Sequence, residues 1–130
     1  MKGEKEDLRK RTKDFALRII RLFCAMPKSV EAQVMGRQFL RSGTSVGANY
    51  REAFRARSDA EFIAKMGDCL KELEETSYWL ELMAESGVVS GEKLARLLEE
   101  TNQLIAIFVT IIKKSKKSEL RNRSKFLNIS

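Results

Sequence analysis

Histidine is absent from this chain, so the groups that could do chemistry are carboxylates, amines, guanidinium groups and two thiols. Without histidine there is no Ser-His or Cys-His nucleophile pair, and no Glu-x-x-His motif of the kind that binds two irons in a helical bundle. Gly43 and Gly47 lack the preceding strand and the lysine that a phosphate-binding loop requires. Glu52, Glu72 and Glu75 could meet as an all-carboxylate metal site, but hard cations favour more oxygen ligands in a fixed array. The residues thus point to no catalytic group, no metal, no cofactor and no small-molecule substrate, and away from an enzyme.

Two other constellations remain. Asn49 and Glu52 lie three residues apart and share a helix face. With Arg41 and Glu72 or Glu75 they can form a buried polar cluster, since a glutamate near a core needs an arginine or several donors around it. The bland alternative is a solvated helix face. That alternative fits Asn49 less well, because asparagine is a poor helix former.

The second constellation is basic. The net charge is +7 and the pI near 9.6, a balance that favours polyanions as partners. Candidate phosphate contacts are Arg51, Arg55 and Arg57, then Lys113, Lys114, Lys116, Lys117, Arg121 and Arg123. From Lys113 to Lys125 seven basic residues face a single acidic one, Glu119. Residues 59–86, by contrast, are acidic on their polar side. Basic helices could simply neutralise that acidic one, within or between subunits. If they bind nucleic acid, contact is mainly with phosphates, with shallow sequence preference and steep salt dependence. Tyr78 and Trp79 could stack on bases, although aromatics at helical spacing more often pack in a core or an interface.

The elements that must position these groups are helices. Leu8, Thr12, Phe15, Ile19, Phe23 and Met26 recur in steps of three and four, which predicts a helix from Asp7 that Pro27 ends, after a charged and frayed start at residues 1–6. Ser29 is the expected N-cap of a second helix reaching residue 57. Its back half, 41–57, has a thin face made by Ser42, Gly43, Gly47 and Ala48. Two interior glycines cost about 1 kcal/mol each relative to alanine, so a helix that keeps them should gain close approach of a neighbouring backbone. The competing reading is a Gly/Ser loop.

Ser58-x-x-Glu61 is a capping-box signature and opens a third helix, which Gly87 closes. Ser90 precedes a fourth, whose stripe is Leu94, Leu97, Leu98, Thr101, Leu104, Ile105, Phe108, Ile111 and Ile112. Ile107 and Val109 widen that stripe to nearly all faces, which suggests a subunit interface. This helix is expected to continue to about Lys117. Residues 1–117 then form the bundle domain and 118–130 a basic tail, whose Phe126, Leu127 and Ile129 dock onto something or hang free.

Cys24 and Cys69 both sit among apolar helix residues without metal-ligand spacing, so both are expected to be buried free thiols in a reducing cytoplasm. Met1 is followed by charged residues rather than the apolar core of a signal peptide. The best apolar run, Leu104 to Ile112, falls short of the roughly 18 residues needed to span a bilayer.

Asn49-x-x-Glu52-Ala53, then Ser58-x-x-Glu61-Phe62, then KELEETSYWLEL (71–82), resembles the bacterial proteins encoded in intervening sequences of 23S rRNA genes. The order and spacing of these motifs carry the resemblance, which covers nearly the whole chain. It implies an antiparallel four-helix bundle that assembles into a ring-like homopentamer, with the family's asparagine and glutamate at Asn49 and Glu52. A distant relative, the accessory protein of diversity-generating retroelements, works with a reverse transcriptase and nucleic acid.

Residues and resemblance together predict an all-α, up-down-up-down four-helix bundle, with short loops at Pro27, Ser58 and Gly87 to Ser90. The predicted function is non-enzymatic binding of RNA or DNA through basic surfaces repeated around a homo-oligomer. The alternative is a protein–protein assembly or adaptor module that binds no nucleic acid. Neither reading involves a membrane.

Overall fold

The computed structural model describes residues 2–129, with the side chains of residues 2, 4–6, 128 and 129 outside the description. The side chain of Ile129 therefore falls outside the described residues, as do Met1 and the side chains of residues 2 and 4–6, while the backbone from Lys2 onward, expected to be frayed, is helical. Four α-helices make up the fold: α1 (Lys2–Ala25), α2 (Val30–Ala53), α3 (Asp59–Glu85) and α4 (Gly91–Ile129). No strand occurs among the described residues.

The local stops act where their chemistry puts them. Proline disfavours helical geometry in the residue before it, and α1 ends at Ala25, two residues ahead of Pro27. The Pro27 carbonyl then accepts a 2.9 Å hydrogen bond from the Gln33 side chain, closing the turn. Ser29 sits at the N-cap of α2 in extended geometry but makes no side-chain cap bond. Ser58 does: its Oγ accepts from the Glu61 backbone N–H at 3.1 Å, and the Glu61 carboxylate accepts from the Arg57 N–H. Gly87 has φ +75, a left-handed conformation that glycine adopts at little cost, so it closes α3.

Three helix limits differ from expectation, the first being α1, which begins at Lys2 rather than Asp7. Helix α2 ends at Ala53 rather than 57. Its last turn tightens through i→i−3 bonds, Arg55 N–H to Glu52 and Ala56 N–H to Ala53, and the Ser58 cap takes over. Helix α4 does not stop near Lys117 but runs to Ile129. Lys, Arg, Leu and Glu are good helix formers, and no proline or glycine follows Gly91.

Helices α2 and α3 are the central packing elements: α2 contacts α1 and α3, and α3 also packs on α4. The glycines of α2 lie against α1. A methyl group built on Gly43 would come within 2.8 Å of Ile19, one on Gly36 within 3.0 Å of Phe23 and Met26, and one on Gly47 within 3.3 Å of Thr12. These contacts move down α1 as they move up α2. The thin face is thus filled by the chain's own first helix. The segment Leu104–Ile112 is also largely internal: Leu104 and Phe108 are buried, and Ile105, Ile107, Ile111 and Ile112 pack partly against the core.

Among the described residues, Thr12, Ser42, Thr76 and Thr101 bury their hydroxyls among the apolar side chains. Each is satisfied. Thr12 and Thr101 donate to the carbonyls four residues back, both at 2.7 Å. Thr76 lies 2.9 Å from Ser42 and so ties α3 to α2.

Candidate functional site

The residues expected to form one polar cluster occupy two places. Arg41 reaches from α2 to α3, 3.2 Å from the Glu72 carboxylate and in contact with that of Glu75. The site is half open: the Arg41 side chain is 47% exposed and that of Glu72 16%. Glu52 is elsewhere and 57% exposed, paired with Lys65 at 2.7 Å. That pair raises the Lys65 pKa, first through the hydrogen bond and then through the carboxylate charge. Asn49 is half-buried and joins neither pair. The expected buried cluster is therefore corrected to two partly exposed bridges on one helix–helix seam. A three-residue spacing puts Asn49 and Glu52 near each other but does not say which way their face points.

An ion pair that the sequence did not reveal ties α1 to α4. Arg11 donates to Glu100 through two nitrogens, at 2.8 and 2.7 Å, and to Gln103 at 2.8 Å. The hydrogen bond to Glu100 is the main cause of a raised Arg11 pKa, opposed by partial burial. With the partners so far apart in the chain, no local pattern could have announced the pair.

The thiols also divide. Cys69 is buried as expected, whereas Cys24 is exposed. Cys24 shares the outward side of α1 with Leu17 and Ile20, themselves 38% and 40% exposed, so an apolar neighbourhood in sequence was not a core position. Burial, reinforced by the charge of Asp68, pushes the Cys69 thiol up to about 12. Among the described residues no group of three or more His, Cys, Asp or Glu side chains is placed to hold a metal ion. Nor is any helix there long and apolar enough to cross a membrane.

The basic residues come together from two distant parts of the chain. Arg51 lies in the last turn of α2, while Arg55 and Arg57 lie in the turn that follows, and all three are exposed. Beside that turn is a cleft of about 510 Å³, walled by Leu8, Tyr50, Phe54, Phe62, Met66 and Ile111 and rimmed by Arg57, Ser115 and Ser118. Tyr50 meets Phe54 and Phe108 edge-on, with ring centroids 5.2 and 5.7 Å apart. Ser115 and Ser118 belong to the stretch of α4 that carries Lys113, Lys114, Lys116 and Lys117. The cleft thus places the arginine turn next to the start of the lysine run.

Beyond the cleft, Arg121, Arg123 and Lys125 continue the exposed run. At 3.6 residues per turn, Lys114, Lys117, Arg121 and Lys125 share one side of α4. Among the described residues none of them takes part in an ion pair. Tyr78 is 55% exposed and lies 5.1 Å, ring to ring, from the half-buried Trp79. The Trp79 indole N–H is buried with no hydrogen-bond partner.

The family model of the 23S rRNA-intervening sequence protein matches residues 4–110. A solved structure from Bacteroides thetaiotaomicron VPI-5482, described as a protein with unknown function from the S23 ribosomal protein family, is 37% identical. The match covers 84% of this chain and 97% of that one, with a TM-score of 0.78. No curated protein matches the chain.

Proposed function

The chain belongs to the 23S rRNA-intervening sequence protein family, and we propose that it is a non-enzymatic, cytoplasmic protein that binds RNA through basic surfaces repeated around a homo-oligomer. The observation that carries this reading is the meeting of Arg51, Arg55 and Arg57 with the lysine run of α4 at one end of the molecule. Unpaired cations gathered around one cleft suit phosphate backbones, and contacts of that kind attract any sequence about equally. An up-down-up-down bundle is the arrangement proposed for the four helices, supported by the order of contacts between α1 and α2. Five subunits are proposed on the resemblance. Repetition of a weak site around such a ring would raise its effective affinity.

Binding of the full-length chain to single-stranded RNA across a salt series tests the reading. Each phosphate contact should contribute about −0.7 to the slope of log affinity against log salt. Truncation after Ile112, or neutralising Arg51, Arg55 and Arg57 together, should flatten the slope and weaken all sequences alike. Absence of measurable RNA or DNA affinity at low salt would overturn it and leave the adaptor reading, which the exposed Leu120, Phe126 and Leu127 favour. Native mass spectrometry showing a monomer at micromolar concentration would refute the oligomer.

A further inference from the structure

The last part of α4 lies outside the region that the family model matches, which ends at residue 110, yet it continues the same helix. It carries two different sides. One holds Lys114, Lys117, Arg121 and Lys125. The other holds Lys116, Leu120, Arg123 and Leu127, in steps of four, three and four, which keeps them in line on a helix. Leu120 is 65% and Leu127 70% exposed. A purely phosphate-binding helix has no use for leucines on its outer side, so this second stripe calls for a partner with both apolar and acidic character.

The chain itself offers such a surface. On α3, Glu74, Tyr78, Glu81 and Glu85 recur in the same steps of four, three and four. All four are exposed, and none of the three glutamates is in an ion pair among the described residues. Tyr78 supplies apolar area at the centre of the stripe, and the acidic groups on either side match Lys116 and Arg123. Each stripe covers about 16 Å of helix, so the two are equal in length.

The two surfaces cannot meet within one molecule. Ile111, Ser115 and Ser118 lie beside Asp59 and Phe62 at the start of α3, so the extension leaves the fold at that end. The acidic stripe begins about 22 Å further along α3, next to the Gly87 turn. We propose that the Lys116–Leu127 side of α4 in one copy docks along the Glu74–Glu85 stripe of α3 in a second copy. Each copy then offers one surface and uses the other, a head-to-tail contact that closes into a ring when the rotation per subunit allows it. The inference rests on the homo-oligomer reading given above and adds the surfaces that would make the contact. It leaves the Lys114–Lys125 side free for nucleic acid.

Charge reversal tests it on the full-length chain, with helical content checked by circular dichroism because every altered position is exposed. One variant carries Glu74→Lys and Glu81→Lys, a second Lys116→Glu and Arg123→Glu, and a third all four. Sedimentation and native mass spectrometry should show each double variant dissociated, with self-association weakened about tenfold or more by like charges, and the quadruple variant returned to the wild-type mass. If the wild-type chain is itself a monomer, the homo-oligomer reading fails and this inference with it. If the wild type assembles and the double variants keep its mass, the docking is overturned while the oligomer stands. Double variants that dissociate without rescue in the quadruple variant also overturn it, because the effect would not be one of charge pairing.

Discussion

Helix α2 is held on two sides by different physics. Toward α1 it presents Gly36, Gly43 and Gly47, and the helices approach until Ile19 and Thr12 fill the space of the missing side chains. Toward α3 it presents Arg41, Ser42 and Glu52, and the polar part of the seam is a hydroxyl pair and three open ion pairs, two of them made by Arg41. The first seam is specified by shape, where a single carbon is felt. The second is specified by polar pairing, and its charged members sit where water competes for them. One helix can therefore be close to intolerant of substitution on one side and permissive on the other.

Enlarging the shape seam should have the largest effect. Ile19 is fully buried, so Ile19→Ala should lower stability by about 2–5 kcal/mol in urea unfolding. Gly43→Leu should cost about 1–3 kcal/mol through overpacking. Combined, the two should cost less than their sum, because the leucine enters the space that the isoleucine leaves. Gly67 is the internal control: nothing lies within 4 Å of a methyl group placed there, and Gly67→Ala should stabilise by about 1 kcal/mol. A loss at Gly67 equal to that at Gly43 would dissolve the distinction between the seams.

The buried part of the polar seam comes next. Thr76→Val removes the bond to Ser42 while keeping the volume, and should cost about 1 kcal/mol. Its charged part should matter least: Arg41→Ala below about 1 kcal/mol and Glu52→Ala below about 0.5 kcal/mol. A loss of several kcal/mol at Glu52 would mean that this pair is shielded from water after all.

The thiols sharpen the contrast without touching the packing of glycines. A maleimide should label Cys24 in the native protein and reach Cys69 only on unfolding. The folded Cys69 thiol stays protonated up to about 12 against a usual value of 9.0. Above about pH 9 the unfolded chain alone releases this proton, so stability should fall as pH rises. Cys69→Ala should remove that increment, read as the difference between the two pH profiles of urea unfolding.

What the sequence revealed was whatever is decided within a few residues. Pro27, the Ser58 cap and Gly87 mark three helix ends because each acts on its own backbone neighbours. The glycine face announced close approach, since two glycines on one helix face are costly unless a neighbour comes close, whereas the lone Gly67 of α3 meets nothing. Long-range facts were hidden. Whether α1 or another subunit filled that face, and that Arg11 would find Glu100, depend on how helices pack, which no local spacing encodes. Glu52 misled because Asn49 and Glu52 define a common face without fixing its direction. The end of α4 misled for a different reason: the loss of an apolar stripe after Ile112 shows where packing ends, not where the backbone stops being helical.

That unbroken backbone gives the extension an angular phase. A short isolated helix in water is marginal because starting it is unfavourable, but here the packed part of α4 has already formed the first turns, and the rest inherits its rotation. Inserting one alanine after Ile112 would turn every later side chain by about 100° without altering composition or charge. Four inserted residues would bring the stripes back within about 40° of their direction, displaced by about 6 Å along the axis. In this protein the sum of charges and their orientation are separate variables, and the continuity of one helix is what lets them be varied independently.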